Sequence, residues 1–262
     1  MVSDVHGNVE ALAKAGAGAD ALVVLGDLID FVNYLDHSGG ILGAVFGPDK
    51  VATFARLRRE RRHAELGEFH KSLWAQVDDP VAVIEEAVRG QYEAMFGALA
   101  AAGVPVYATP GNVDVPAVWP EFAAAAGVRV LDGEVAEIGG LRFGFVGGGL
   151  LAPGVTLRPG AVFRPYLRPE EDFAAAAAAL GEVDVLCSHI PPAVAELTYD
   201  VLARRFESGS RSLLDTVDAR RPRWSLFGHV HQPLAPRLRR GLTECVNVGH
   251  FQRAERPYVV AW

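Results

Sequence analysis

Five short runs along this chain each stop at a turn carrying aspartate, asparagine or histidine, and that layout limits the folds open to it. The most telling is Trp224–Phe227, followed by Gly228-His229-Val230-His231. A brief apolar run bounded by turn signals reads as a buried strand. Alternate side chains of extended backbone share a side. His229 and His231 are therefore expected to face one site, with Val230 in the core. Two imidazoles together suit a metal ion. The same layout recurs upstream. Met1-Val2-Ser3 leads into Asp4-Val5-His6, and Gly7-Asn8 suits the turn that follows. Ala21–Leu25 leads into Gly26-Asp27-Leu28-Ile29-Asp30, and Val104–Ala108 into Thr109-Pro110-Gly111-Asn112-Val113-Asp114. Val183–Cys187 leads into Ser188-His189-Ile190-Pro191-Pro192. Open α/β sheets bind ligands at the carboxyl ends of their strands. Any one of these polar residues alone also reads as a cap or turn residue; the repetition weakens that alternative.

Between these blocks the pattern is helical or turn-rich. The spacing predicts helices near Val9–Ala15, Pro116–Ala126, Pro169–Leu180 and Ser210–Ala219. A hairpin is predicted for Glu134–Ile138 and Leu141–Val146 around Gly139-Gly140. Further strands are predicted at Val128–Leu131, Ala235–Leu238 and Cys245–Val248, with Tyr258–Ala261 closing the sheet. Gly147-Gly148-Gly149 lacks the Lys-Ser/Thr of a phosphate loop and reads as a tight turn. Gly154–Leu167 reads as a loop. From 31 to 103 the character changes. Phe31–Gly47 has no clean period, while Val51 to Val77 and Ile84 to Leu99 fall near helical spacing, so a helical insertion or cap is expected within a single domain spanning 1–262. The run Arg56 to Arg62 is expected to be a solvated helix face, with binding of an acidic or phosphorylated partner as the alternative. His63 and His70 are expected at the surface.

Half of the 262 residues are hydrophobic, enough for a sizeable core, and the formal net charge is −7. That balance argues against general nucleic-acid binding and against anionic membranes. Residues 1–12 lack the pattern of a secretory signal, and no apolar run is long enough to span a bilayer. Cys187 and Cys245 read as two buried thiols rather than a disulfide framework. A reducing cytoplasm is expected. Only three residues precede Asp4, so the first strand is expected to be short of body, and an upstream apolar extension is expected to stabilise it.

Together the blocks Asp4-x-His6, Gly26-Asp27-x-x-Asp30, Gly111-Asn112-x-Asp114, His189 and Gly228-His229-x-His231 resemble the calcineurin-like metallophosphoesterase superfamily, in its bacterial phosphodiesterase-like branch. Ser188-His189-x-Pro191-Pro192 and Gly209-Ser210 add to the likeness. The resemblance implies an α/β fold, a four-layer α/β/β/α sandwich of two mixed sheets. It implies two divalent metal ions, drawn from Mn, Fe, Zn or Ni. One would be held by Asp4, His6, Asp27 and His231, the other by Asp27, Asn112, His189 and His229, with Asp27 shared. Such a pair, about 3.5–4 Å apart, would hold a bridging hydroxide as nucleophile towards a small phosphoester. Asp27, Asn112 and His189 are thereby the expected catalytic residues. Asn8, Asp30 and Asp114 are expected to fix the ligands' orientation. Many members carry histidine where this chain has Val113, and there it assists the leaving group. Its absence favours a phosphodiesterase over a phosphomonoesterase, with His37 or His250 as candidates to stand on the substrate side. A non-catalytic binding module on the same fold would be expected to break the ligand set, and all seven positions are intact. A metallo-β-lactamase-type hydrolase would need His-x-His-x-Asp-His, which is absent.

Overall fold

The computed structural model describes residues 1–156 and 161–262. The predicted Gly154–Leu167 loop falls partly on residues 157–160, which lie outside the described residues.

Strands whose two faces are both apolar need cover on both sides, and two stacked sheets supply it. The smaller sheet runs Leu22–Val24, Val106–Ala108, Val128–Val130, parallel throughout. Val2 adds a single parallel bridge to Val24. The larger sheet has six strands in the order Arg237–Arg240, Thr243–Asn247, Trp224–Phe227, Val185–Ser188, Leu141–Val146, Glu134–Ile138. Its inner pairs are parallel and both edge pairs antiparallel. The expected hairpin is present with its predicted bounds.

The pleat sorts the side chains. Leu22 and Val24 enter an outer core with Tyr92, Phe96 and Trp119. Val23 and Leu25 turn the other way, into a core between the sheets with Phe143, Phe145, Val185, Leu226 and Val246. On the far side Leu186, Phe227 and Cys245 pack against Phe173 and Leu180 from helix Glu170–Ala179 and its margin, and Leu213 and Val217 from helix Arg211–Arg220. Three cores thus separate four layers, helices outside and sheets within. Each fully buried Leu, Val or Phe contributes about 1.5–3 kcal/mol. Both cysteines are free and buried.

The stretch 31–103 holds four helices, Gly40–Phe46, Pro48–Arg59, His63–Trp74 and Pro80–Ala100. The first lies where periodicity predicts none; two glycines at its start hide a turn that buries Ile41 and Leu42. The last begins at Pro80, with Asp79 accepting from the Ala82 N–H at 3.0 Å. Its apolar face, Ile84, Val88, Tyr92, Met95, Phe96 and Leu99, belongs to the outer core. The arginines of the run are largely exposed, with Arg58 half-buried over the Tyr34 ring, and partly paired, Arg56 with Glu60 and Arg62 with Glu60 and Glu65. His63 is exposed, whereas His70 is half-buried. It sits between Phe54 and Trp74, accepts the Trp74 indole N–H at 3.0 Å, and burial lowers its pKa.

Tyr258–Ala261 does not close a sheet as predicted. Tyr258 exchanges two backbone hydrogen bonds with Met1, at 2.7 and 2.8 Å, and pairing extends no further into a strand. Pro257 has no N–H with which to continue a ladder. No helix among the described residues is long and apolar enough to cross a membrane.

One carboxylate couples the two helices of the far layer. Ser210 caps helix Arg211–Arg220 by accepting from Leu213 N–H, and its hydroxyl donates to Glu170 at 2.5 Å. Glu170 also accepts from the N–H groups of Ser212, at 2.8 Å, and Arg211, at 3.2 Å. Partial burial raises its pKa, but the donors from Ser210 and Ser212 outweigh this, and the net shift is downward. A pKa depressed below the unfolded value of about 4.3 stabilises the fold above that value, and the gain is lost as pH falls through the folded pKa. Glu170→Gln is expected to lower unfolding stability by about 0.5–1.5 kcal/mol at pH 7. Urea titrations should show the gap narrowing as pH falls below about 4.3; a gap independent of pH would show that the carboxylate's charge is not what matters.

Candidate metal centre

The strand ends bring all seven expected ligands into one cluster. Asp27 stands at its middle. Its Oδ2 lies 3.9 Å from His6 Nε2, and its Oδ1 lies 3.4 Å from His189 Nε2. Asp4 Oδ1 is 3.9 Å from His6 Nε2 and 3.3 Å from His231 Nε2. Asn112 Oδ1 is approached by His189 Nε2 at 3.0 Å and by His229 Nδ1 at 2.8 Å.

Convergence is not achieved by strand alternation, as the sequence suggested. Asp4, His6, Asp27 and His229 all adopt left-handed backbone, with φ of 55°, 40°, 55° and 66°. Such residues cost of order 1–3 kcal/mol and persist where surrounding structure fixes them. Sharp turns, not extended backbone, aim these side chains inward. Val230 is buried as expected. Two motif glycines are required by crowding. A Cβ on Gly111 would collide with the Asp27 carboxylate, and one on Gly228 with Ser3 Oγ and the Asp4 carboxylate.

The rings are held from behind. His6 Nδ1 faces Ile29 O at 3.1 Å, His189 Nδ1 faces Leu25 O at 2.7 Å, and His229 Nε2 faces Ser208 Oγ at 3.0 Å. Each fixes which nitrogen points into the cluster. Asp4 Oδ1 and His6 Nε2 are buried and have no hydrogen-bond partner among the described residues. Unsatisfied polar atoms facing one another in a carboxylate–imidazole–amide set fit a divalent cation. Charges respond accordingly. Burial disfavours ionised Asp4, but the His231 ring holds its pKa well below the usual carboxylate range. Asp27 is likewise lowered against its burial by His189. Burial pushes His189 down, yet Asp27 raises it to about 9, so a proton there supplies the positive charge between the carboxylates. His229, buried beside His189, falls to about 4, and His250, buried beside His231, also to about 4.

Of the residues expected to orient ligands, Asp114 does so most directly. Fully buried, it accepts at Oδ2 from Asp27 N–H and Gly111 N–H, both at 2.8 Å, and at Oδ1 from Leu28 N–H at 3.0 Å and Tyr92 OH at 3.2 Å. Asn8 bonds elsewhere than to the ligand rings. It caps helix Val9–Leu12 through Ala11 N–H and donates to Gln252 O and Glu255 Oε1. Asp30 is buried and bonded to Asn33, and burial raises its pKa. It helps line a cleft of about 580 Å³ with His6, Asn33, Gln91, Met95 and Gln252. His37 makes no hydrogen bond or ring contact with the cluster among the described residues, whereas His250 joins it, stacked on His231 at 3.8 Å. Sequence reasoning missed Ser208, Asn247 and Gln252. Asn247 Nδ2 donates to Gly228 O and Val230 O, and Gln252 Nε2 to His6 O. Only the strand-end position of Asn247 gave any signal. Asp114→Asn presents an amide NH₂ where an acceptor is needed, leaving a buried N–H unpaired at about 1–3 kcal/mol. Thermal unfolding of the metal-free protein should show that loss, while the corresponding change at the surface residue Asp36 should not.

The fold and site can be set beside known proteins. A crystal structure superposes with a TM-score of 0.64 at 17% identity, covering 96% of this chain and 90% of that one. The crystal structure of TT1561 of Thermus thermophilus gives 0.56, also at 17% identity, covering 96% and 88%. At such identities the likeness is one of fold. No curated protein matches. The sequence pattern of the calcineurin-like phosphoesterases matches residues 1–233, from the Asp4 turn through His231. The chain therefore belongs to the calcineurin-like phosphoesterase family, whose members are metal-dependent phosphoester hydrolases.

Proposed function

We propose that this protein is a phosphodiesterase working with two divalent cations. The observation that carries the proposal is the position of Asp27, whose two carboxylate oxygens face different imidazoles, His6 on one side and His189 on the other. A carboxylate so placed could serve two ions at once. Asp4, His6 and His231 would complete one ligand set and Asn112, His189 and His229 the other. Mixed nitrogen and oxygen donors suit Mn, Fe, Zn or Ni. When bound, such a pair neutralises phosphoryl charge and supplies a water-derived nucleophile at neutral pH.

The chain's own residues do the rest. Backbone carbonyls of Ile29 and Leu25 keep His6 and His189 aimed inward. Val113 N–H donates to Asp27 Oδ1 at 2.9 Å, while its side chain packs against the outer core and offers no proton. Among the described residues, no Lys or Arg lines the cleft beside His6. A diester carries one negative charge and a monoester up to two, so a cleft without Lys or Arg favours the diester. The cleft has room for the second ester group. The stretch 31–103 borders it through Asn33 in its opening loop and Gly40, Ala87, Gly90 and Gln91 in its helices, which supports reading it as a cap within a single domain. The substrate is a small phosphoester and the compartment the cytoplasm, where the two cysteines stay free.

Protein purified without chelators should carry metal and hydrolyse bis-nitrophenyl phosphate several-fold faster than the mono-ester; the reverse order would make it a monoesterase. Asp27→Ala should lose both ions by elemental analysis, and retention of two would overturn the shared-ligand assignment. With no acid at 113, rates should fall steeply as leaving-group pKa rises. Val113→His should speed alkyl phosphodiesters, by up to about 10²- to 10⁴-fold if the imidazole reaches the leaving oxygen, and leave nitrophenyl esters nearly unchanged. A flat leaving-group dependence in the wild type would remove Val113 from the account.

A further inference from the structure

We infer that His250 is a third imidazole donor to the ion held by Asp4, His6, Asp27 and His231. The inference rests on the metal-dependent reading proposed above and extends its ligand set to a residue beyond the segment that the family pattern matches, residues 1–233.

Donor atoms of His6, His231 and His250 all lie within 4.8 Å of one another. Two nitrogen ligands about 2.0–2.1 Å from one ion stand about 3–4 Å apart, so this cluster is already near the spacing of a common ligand set. His250 is 8% exposed, and its Nε2 is buried with no hydrogen-bond partner among the described residues. A satisfied core histidine would have both ring nitrogens paired. This one presents a bare nitrogen beside His6 Nε2, which is bare too. Its ring stacks on His231 with an interplanar angle of 18° and stands edge-on to His6 at 5.8 Å.

The backbone around His250 is tied to both ligand-bearing turns. Phe251 N–H donates to Ser3 O and Gln252 N–H to Asp4 O, each at 3.0 Å. Gln252 Nε2 reaches His6 O at 2.9 Å. On the other side Asn247 accepts from Gly249 N–H and donates to Gly228 O and Val230 O. His250 is therefore carried on a segment bonded to the turns that hold Asp4, His6, His229 and His231. Three imidazoles and two carboxylates would then surround one ion, against two imidazoles, an amide and a carboxylate at the other. The richer nitrogen set favours Fe, Co, Ni or Zn over Mg at the first position.

Co²⁺ titration of metal-free protein, followed by visible absorption and chelator competition, tests this without an activity assay. Wild type should bind two ions. His250→Ala should weaken one of them by at least about ten-fold and alter its absorption band, leave the other unchanged, and recover the band with added imidazole. Independently of any variant, the Co²⁺-loaded wild type should show five paramagnetically shifted imidazole N–H signals in its proton NMR spectrum, three from the first ion and two from the second. Four signals, or a variant with unaltered affinities and spectrum, overturns the inference. So does a variant that keeps both ions and loses only affinity for inorganic phosphate, since His250 would then contact the phosphoryl group instead. A wild type that binds no Co²⁺ would overturn the metal-dependent reading itself.

Discussion

The site depends on one buried carboxylate that need not touch a metal. Asp114 gathers four donors, the N–H groups of Asp27, Leu28 and Gly111 and the hydroxyl of Tyr92. It thereby locks the turn after strand Leu22–Val24 to the turn after strand Val106–Ala108. An ionised carboxylate in a core is tolerable only when its lone pairs are met, so the four donors and the charge hold one another in place. The arrangement is under tension. Burial and the charge of Asp27 push the Asp114 pKa up to about 6. Positive charge at the centre relieves that tension, which links the fold's stability to what occupies the cluster.

Much of this was legible in the chain. Trp224–Phe227 and the Glu134–Ile138 hairpin have the bounds their patterns predict, because strands buried on both faces, or paired across a tight turn, carry their own signal. The ligand residues were legible for a chemical reason: aspartate, asparagine and histidine are rare together at the ends of buried strands without a task. The backbone that aims them was not. Left-handed conformations at Asp4, His6, Asp27 and His229 break the local preferences on which sequence inference relies. Helix Gly40–Phe46 was hidden by its glycines, and His70 looked like a surface residue because its partner Trp74 lies one helical turn away in an otherwise polar stretch.

Contacts between distant parts of the chain were the least legible. Ser208 behind His229, and Gln252 above His6, have no signature in their neighbours. Their roles come from contacts outside the sheets, Ser208 meeting His229 across 21 positions and Gln252 meeting His6 across 246. The C-terminal segment closes the site by hydrogen bonds to backbone oxygens of Ser3, Asp4 and His6. Backbone acceptors are the same whatever the residue, so such a brace leaves little trace in sequence.

The hydrogen bond from His229 N–H to Asp4 Oδ2 spans 225 positions of the chain. Contacts so far apart in sequence form only after the intervening chain has been organised, since closing long loops costs entropy before any contact repays it. Both sheets must therefore be assembled before His189, His229 and His231 join Asp4, His6 and Asp27, whose turns are already bonded to each other. A metal would therefore not find its full ligand set early in folding, unlike in a zinc finger, whose ligands are all close in sequence. It would enter a cavity already formed, in which Asp27 raises the pKa of His189 and so favours a positive charge there before any ion binds.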